Sequence, residues 1–213
     1  MRNRDAAEGD AAEGLGFARR MTAFPLAAAL LLVVSSARGD DATDLLFLYA
    51  DETPGGGYGG AGWLHAPGGL DRTGPVFSAE AGRSFEYEAR VAAMAGWRLA
   101  WGRTITTVLG GLEAGSTIRP VASVDVWLDD AGWMATARAQ VTPDYMSWRA
   151  AVGWKAGDGL PWFGPELSST GDERTRFGAH ATGVRLPWRF EARASAGWSA
   201  GGTYGELSLW RRF

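Results

Sequence analysis

Along most of this chain apolar and polar side chains change places at every second residue. In "WRFEARASAGWS" (188–199), Trp188, Phe190, Ala192, Ala194, Ala196 and Trp198 share one parity, and Arg189, Glu191, Arg193, Ser195, Gly197 and Ser199 share the other. "WMATARAQVT" sets Trp133, Ala135, Ala137, Ala139 and Val141 against Thr136, Arg138, Gln140 and Thr142, and "MSWRAAVGWKA" sets Met146, Trp148, Ala150, Val152 and Trp154 against Ser147, Arg149, Gly153 and Lys155. A period of two is the signature of strands. Runs of this kind predict strands at 44–50, 57–65, 75–84, 90–101, 104–114, 120–128, 132–142, 145–156, 162–170, 175–186, 188–200 and 203–213, about twelve in all. The fifth, "TITTVLGGLEA", has no clean parity. Every joint is short and rich in turn formers, among them "TPGGG", "DDAG", "TPDY", "AGDGLP" and "AGGT", which predicts hairpin after hairpin in an up-and-down meander.

An all-β, up-and-down antiparallel barrel of even strand number is the architecture of bacterial outer-membrane proteins. The tryptophans favour it over a soluble sandwich. With both chain ends in the periplasm, Trp63, Trp101, Trp133, Trp154 and Trp188 sit beside periplasmic turns on the apolar parity, while Trp148 and Trp198 sit at the opposite ends of their strands. From Trp188 to Trp198, at ~3.3 Å per residue and a tilt of ~40°, the chain climbs about 25 Å, the height of a lipid-facing band between two aromatic girdles. The apolar face is therefore expected to meet outer-membrane lipid and the charged face to line the lumen. Phe213 at the terminus, with Leu209 and Leu207 on its parity, fits such a barrel, and Arg211 departs from the pattern.

Composition removes other classes. The 213 residues suffice for one domain, and a net charge of -3 with almost no Lys gives no footprint for nucleic acid. With no Cys, and His65 and His180 as the two histidines, neither a disulfide framework nor a metal cluster is expected, and no cofactor is implied. Residues 1–39 read as an N-terminal extension and a cleaved signal peptide: Arg19 and Arg20, an apolar run from Phe24 to Val34, then Ser35 and Ala37 before a mature start near Asp40. The barrel is expected to fill 40–213. The polar, acidic stretch ahead of Arg19 is foreign to such a leader, so the start codon is suspected of lying too far upstream.

Two stretches stand out from the alternation. "LHAPGGLDRTGPVFSAEAG" contains Gly69, Leu70, Asp71, Arg72 and Gly74; "WFGPELSSTGDERTRFGAHATGVRL" contains Gly164, Pro165, Glu166, Gly178, His180, Gly183 and Arg185. Together they resemble the cellulose biosynthesis protein BcsS family, whose members pair a "GGLDRDGF"-like hairpin with an "LGPE...D...R.G.H.TGLR" segment. Pro75 stands where a bulky residue often follows the glycine. The resemblance implies a non-catalytic outer-membrane accessory of cellulose biosynthesis and secretion, an exopolysaccharide and biofilm function. Outer-membrane lipid, cellulose and components of the cellulose synthase complex are the partners it implies. It carries over no catalytic residue.

Read from the residues themselves, "GGLDRTG" is first a tight turn in which Asp71 can bond nearby backbone amides, and second a loop for docking a partner. Pro165 cannot donate to a ladder, so a bulge or a local opening is expected in its strand. The inward inventory is Glu80, Arg98, Asp125, Arg138, Arg149, Lys155, Glu166, Arg176, His180, Arg189, Glu191, Arg193 and Glu206. Its foremost reading is a lattice of ion pairs, with Arg149, Arg176, Arg138 and Arg189 as candidate partners of Glu166; a sugar-binding conduit is the second, with Trp127 and Trp162 facing inward to stack on a sugar or pack on an arginine. A small general porin and a lipid-modifying enzyme are the rival classes. For the enzyme the candidates are His180 with Thr182, and Glu191 with Glu206 for glycoside hydrolysis; an inward His180 at mid-strand argues against lipid chemistry.

Overall fold

The computed structural model describes residues 42–53, 56–84, 89–171 and 175–213; the extension and leader expected over 1–39 lie outside them. Twelve strands follow in chain order: β1 (Asp44–Thr53), β2 (Gly56–His65), β3 (Gly74–Ser84), β4 (Ala89–Trp101), β5 (Thr104–Ala114), β6 (Ile118–Asp130), β7 (Trp133–Val141), β8 (Met146–Trp154), β9 (Trp162–Thr170), β10 (Arg176–Arg185), β11 (Glu191–Ser199) and β12 (Gly202–Arg212). Each pairs antiparallel with its chain neighbours, and β1 pairs with β12, so the sheet closes into a barrel without an edge. Closure leaves no open edge strand, which is what permits a sheet in hydrocarbon. Both described chain ends lie at one rim, called the near end here, where Phe213 and Asp44 exchange backbone hydrogen bonds of 3.0 and 2.9 Å.

The outer face is apolar from rim to rim. Val91, Trp97, Leu99, Val108, Leu112, Val124, Val152, Phe163, Leu167, Phe177 and Leu207 are all exposed, far more contiguous apolar surface than a water-soluble monomer tolerates. Trp63, Trp101, Trp133 and Trp154 stand exposed on strand ends at the near rim and Trp198 at the far one, with Trp148 on the same outward parity of β8. Two near-rim indoles turn their N–H to carboxylates: Trp63 donates to Asp44 Oδ1 at 2.8 Å and Trp133 to Asp130 Oδ2 at 3.1 Å. That pairing of an apolar ring with a wet polar tip suits a headgroup boundary.

Four expectations change. The run 188–199 is not one strand: Pro187–Arg189 forms a single 3-10 turn with φ of 59° at Trp188 and 63° at Arg189, and β11 begins at Glu191. Pro187 cannot supply a ladder N–H, and the joint closes instead through Leu186 N to Phe190 O at 2.9 Å. Trp188 thus projects from the near-end turn, 82% exposed, rather than from a strand, so the climb reckoned from Trp188 to Trp198 is not made within one strand. Arg189 leaves the lumen for the same turn.

β5 does keep a parity, with Thr107, Leu109 and Glu113 buried and Val108, Gly110 and Leu112 exposed. Its alternation is hidden in the sequence because Leu109 belongs to an apolar plug inside the barrel. Leu64, Val76, Met94, Leu109 and Val121 project inward from β2 to β6 and pack with Ala42, Ala66 and Leu70. The lumen is therefore not polar throughout. Finally, "GGLDRTG" is more than a tight turn: Leu70 folds into the barrel mouth and is 3% exposed, its N–H bonded to Ala42 O at 2.8 Å, while Gly69 takes φ 106°. Asp71 pairs with the Arg212 side chain of β12 rather than with backbone amides.

Candidate functional site: the barrel lumen

Above the plug lies a cavity of about 710 Å³ whose lining runs from Leu64, Arg98 and Thr107 low in the barrel to Thr53, Gly56, Tyr145 and Gly171 at the far rim. Among the described residues its wall carries five carboxylates (Asp51, Glu80, Glu113, Asp125, Glu206) and five guanidinium groups (Arg90, Arg98, Arg138, Arg149, Arg176). Most are paired across strands: Arg176 Nη1 to Asp51 at 2.7 Å, Arg138 to Glu80 at 3.6 Å, Arg90 to Glu113 at 3.7 Å, and Arg149 to Glu206. Arg98 goes elsewhere: its Nε donates to Thr107 Oγ1 at 3.0 Å and its Nη1 to the carbonyl of Leu70, tying the inturned loop to β4 and β5. Asp125 sits opposite Arg138 in the β6/β7 register and faces the cavity.

At the far rim Tyr145, in the β7/β8 turn, donates to Glu113 Oε2 at 3.1 Å and has Arg90 and Arg119 over its ring at 5.4 and 5.2 Å. Burial raises its phenol pKa, and the neighbouring Glu113 carboxylate raises it further. Arg119 holds Glu113 through Nε at 2.9 Å and reaches Asp144 at 2.6 Å.

A second polar cluster lies lower, between β8 and β11, and explains the GPE and HAT stretches together. Pro165 causes a local opening and no bulge: the β8/β9 pairing keeps its register but lacks rungs between Ala151 with Glu166 and Trp154 with Phe163. Val152, opposite Pro165 in that register, would take an N–H that proline does not have. His180 of β10 reaches across β9 and supplies it, with Nε2 at 3.0 Å from Val152 O. A carbonyl can only accept, so Nε2 carries the hydrogen and Nδ1 accepts the Thr182 hydroxyl at 2.8 Å. The crossing passes close over bare backbone: a Cβ on Gly153 would stand 3.1 Å from His180 Cε1, a tight contact that would push on the imidazole.

Thr182 Oγ1 in turn accepts from Arg193 Nη1 at 3.1 Å, and Arg193 Nη2 pairs with Glu166. Glu166, 1% exposed, also lies 3.7 Å from Arg149 Nε. Its principal partner is thus Arg193, which was in the inward inventory but not among the four candidates; Arg149 alone of those four is near it. Arg176 is engaged by Asp51, Arg138 by Glu80, and Arg189 has left the sheet. Just after Thr182, β10 bulges at Gly183 (φ 75°), and the Trp162 ring lies where a Cβ would be, 2.7 Å away. Any other residue there would be strained and would displace the indole.

Trp127 and Trp162 do face inward but meet each other edge to face at 6.3 Å, with Lys155 Nζ 4.7 Å above the Trp162 ring. The cation is a lysine rather than the expected arginine. Glu191 accepts the Trp210 indole N–H at 3.1 Å low in the lumen, while Glu206 is held by Arg149. Among the described residues no three of His, Asp and Glu converge as a metal-ligand set. On the outer face Arg211 lies 5.9 Å from the Phe190 ring, which gives that out-of-pattern cation a partner.

Aromatic residues of the first two strands escaped the sequence reading. Phe47 and Tyr49 project inward from β1 and Tyr58 from β2, and all three line the cavity. The signal was present as glycines: Gly60, Gly62 and Gly82 occupy inward positions beneath these rings.

Comparison with known proteins agrees with this architecture. The KdgM porin in complex with disordered oligogalacturonate superposes with a TM-score of 0.60 at 10% identity, covering 79% of this chain and 99% of the porin. A second KdgM porin structure gives 0.59 at 10% identity with the same coverage. At that identity the likeness concerns the fold. No curated protein matches the sequence. The family model for cellulose biosynthesis protein BcsS matches residues 120–213, from the third residue of β6 to the terminus. That segment contains the GPE and HAT stretches but not "GGLDRTG". The family that the sequence resembles is thus the family that the comparison finds, and over its last seven strands this twelve-stranded barrel carries the pattern of the cellulose biosynthesis protein BcsS family.

Proposed function

We propose that this protein is a non-catalytic outer-membrane accessory of bacterial cellulose biosynthesis and secretion, exported by a cleaved leader, with the near end in the periplasm. The observation that carries the reading is the family match over β6 to β12 on a closed barrel whose outer face is apolar between aromatic rims. The lumen supports an accessory over a general porin, because Leu70 and the apolar cluster around it fill the near end beneath the cavity. It supports a non-catalytic role as well: His180 and Thr182 face inward and spend their polar atoms on Val152, on each other and on Arg193. A porin of similar fold is described with an oligosaccharide, which makes a saccharide a reasonable guest for such a lumen. The test is cell fractionation with a heat-modifiable gel shift, together with surface cellulose measured by dye binding in a deletion strain. Recovery of mature protein in outer membranes and a fall in cellulose are expected; a soluble periplasmic protein, or unchanged cellulose, would overturn the proposal.

A further inference from the structure

Phe47, Tyr49 and Tyr58 form a pavement on the cavity wall. Phe47 and Tyr49 are 6.4 Å apart between ring centres with 24° between their planes, and Tyr49 and Tyr58 are 5.7 Å apart at 20°. Near-parallel planes with centres this far apart describe laterally offset rings that follow one another along the wall. The rings can lie flat because the wall beneath is bare: a Cβ on Gly60 would stand 2.6 Å from Tyr49 Cζ, and those on Gly62 and Gly82 would collide with the rings of Phe47 and Tyr58. One face of each ring thereby lies against backbone, and all three rings line the cavity, with Phe47 also packed against the apolar cluster. Trp210, opposite Phe47 in the β1/β12 register, lines the same cavity, and Tyr58, opposite Asp51, brings the row close to the far rim.

We propose that this row is a binding track for the end of a neutral, equatorially linked glucan chain entering from the far mouth. Pyranose rings with equatorial substituents present flat C–H faces that stack on aromatic rings, while their hydroxyls point sideways. Sideways here means the cross-strand pairs Arg138 with Glu80 and Arg176 with Asp51, which offer donors and acceptors at the cavity wall. Successive inward residues of a strand advance ~6.6 Å along it, and a ~40° tilt shortens that to ~5 Å along the barrel axis, about the length of one pyranose unit. Among the described residues of the cavity wall, five carboxylates balance five guanidinium groups, so that wall carries no net positive charge to favour a polyanion. The plug around Leu70 stops the chain at the near end, so the track holds a terminus and does not thread a polymer. The choice of a β-linked glucan rests on the proposed link to cellulose, whereas the track itself rests on β1 to β3, outside the family-matched segment.

Purified refolded barrel titrated with cellohexaose, followed by calorimetry and intrinsic fluorescence, tests this. Saturable binding is expected, weakened roughly two- to tenfold by Tyr49→Ala and again by Tyr58→Ala, the scale of one lost aromatic contact each. Tyr49→Phe should retain it, since the stacking face survives. Heat-modifiability of every variant verifies folding, and Tyr49→Leu with Tyr58→Leu replaces any alanine variant that fails it. The proposal is overturned if folded wild type does not bind cellohexaose, if the tyrosine variants bind equally well, or if hexagalacturonate binds as tightly. Fractionation and cellulose output do not depend on these tyrosines, so they judge the wider functional reading separately.

Discussion

Replacing Glu166 by glutamine keeps the side-chain shape and removes one charge at the most enclosed ion pair of the barrel. The carboxylate is 1% exposed and faces Arg193, whose side chain is 8% exposed, and Arg149, whose side chain is 29% exposed. After the change Arg149 still has Glu206, but Arg193 is left with the Thr182 hydroxyl and, among the described residues, no ion-paired carboxylate. Breaking a buried pair by removing one partner costs ~3 to 5 kcal/mol; with one of the two cations still compensated, about 3 kcal/mol is expected. The assay is urea-dependent folding into lipid vesicles, read by tryptophan fluorescence and gel mobility. The uncompensated cation is the cause, so Glu166→Gln with Arg193→Met should recover most of the loss. A loss below about 0.5 kcal/mol, or a double variant that merely adds two penalties, would refute the view that Glu166 and Arg193 stabilise the barrel as a pair.

Ala194→Arg places a cation on the outward face of β11 midway along the strand, and should cost ~2 to 4 kcal/mol in the same vesicle assay; stability equal to wild type would mean that this face does not meet lipid. His180→Leu strands the Val152 carbonyl inside the barrel and should cost ~1 to 3 kcal/mol, and because Pro165→Ala restores the missing backbone donor, the same leucine change should cost clearly less in that background. Equal penalties with and without Pro165 would show that His180 does not replace its N–H.

The twelve strands were legible because the forces that shape them are local. A lipid face against a polar lumen imposes period two on each segment by itself, and glycine-rich joints mark where one segment ends, so parity and punctuation suffice. Where two opposing faces are both apolar, as at Val108 and Leu109 of β5, that information vanishes, and a plug inside the barrel could not be foreseen. The motif residues were legible as a list but not as a mechanism. Pro165 announced a missing donor; that His180, two strands away in the sheet, supplies it follows only from register and from the bare backbone of Gly153 that lets the imidazole cross. In the same way Glu166 called for a cation, and only closure of the sheet selected Arg193 over Arg176, Arg138 and Arg189. The Trp188 turn is the converse case: alternation continued straight through it, and a proline with two positive φ angles overrode the pattern. Alternation reports which side of the sheet a residue faces, but which residues meet inside a closed barrel depends on register and closure, relations between segments far apart in the chain that no single segment encodes.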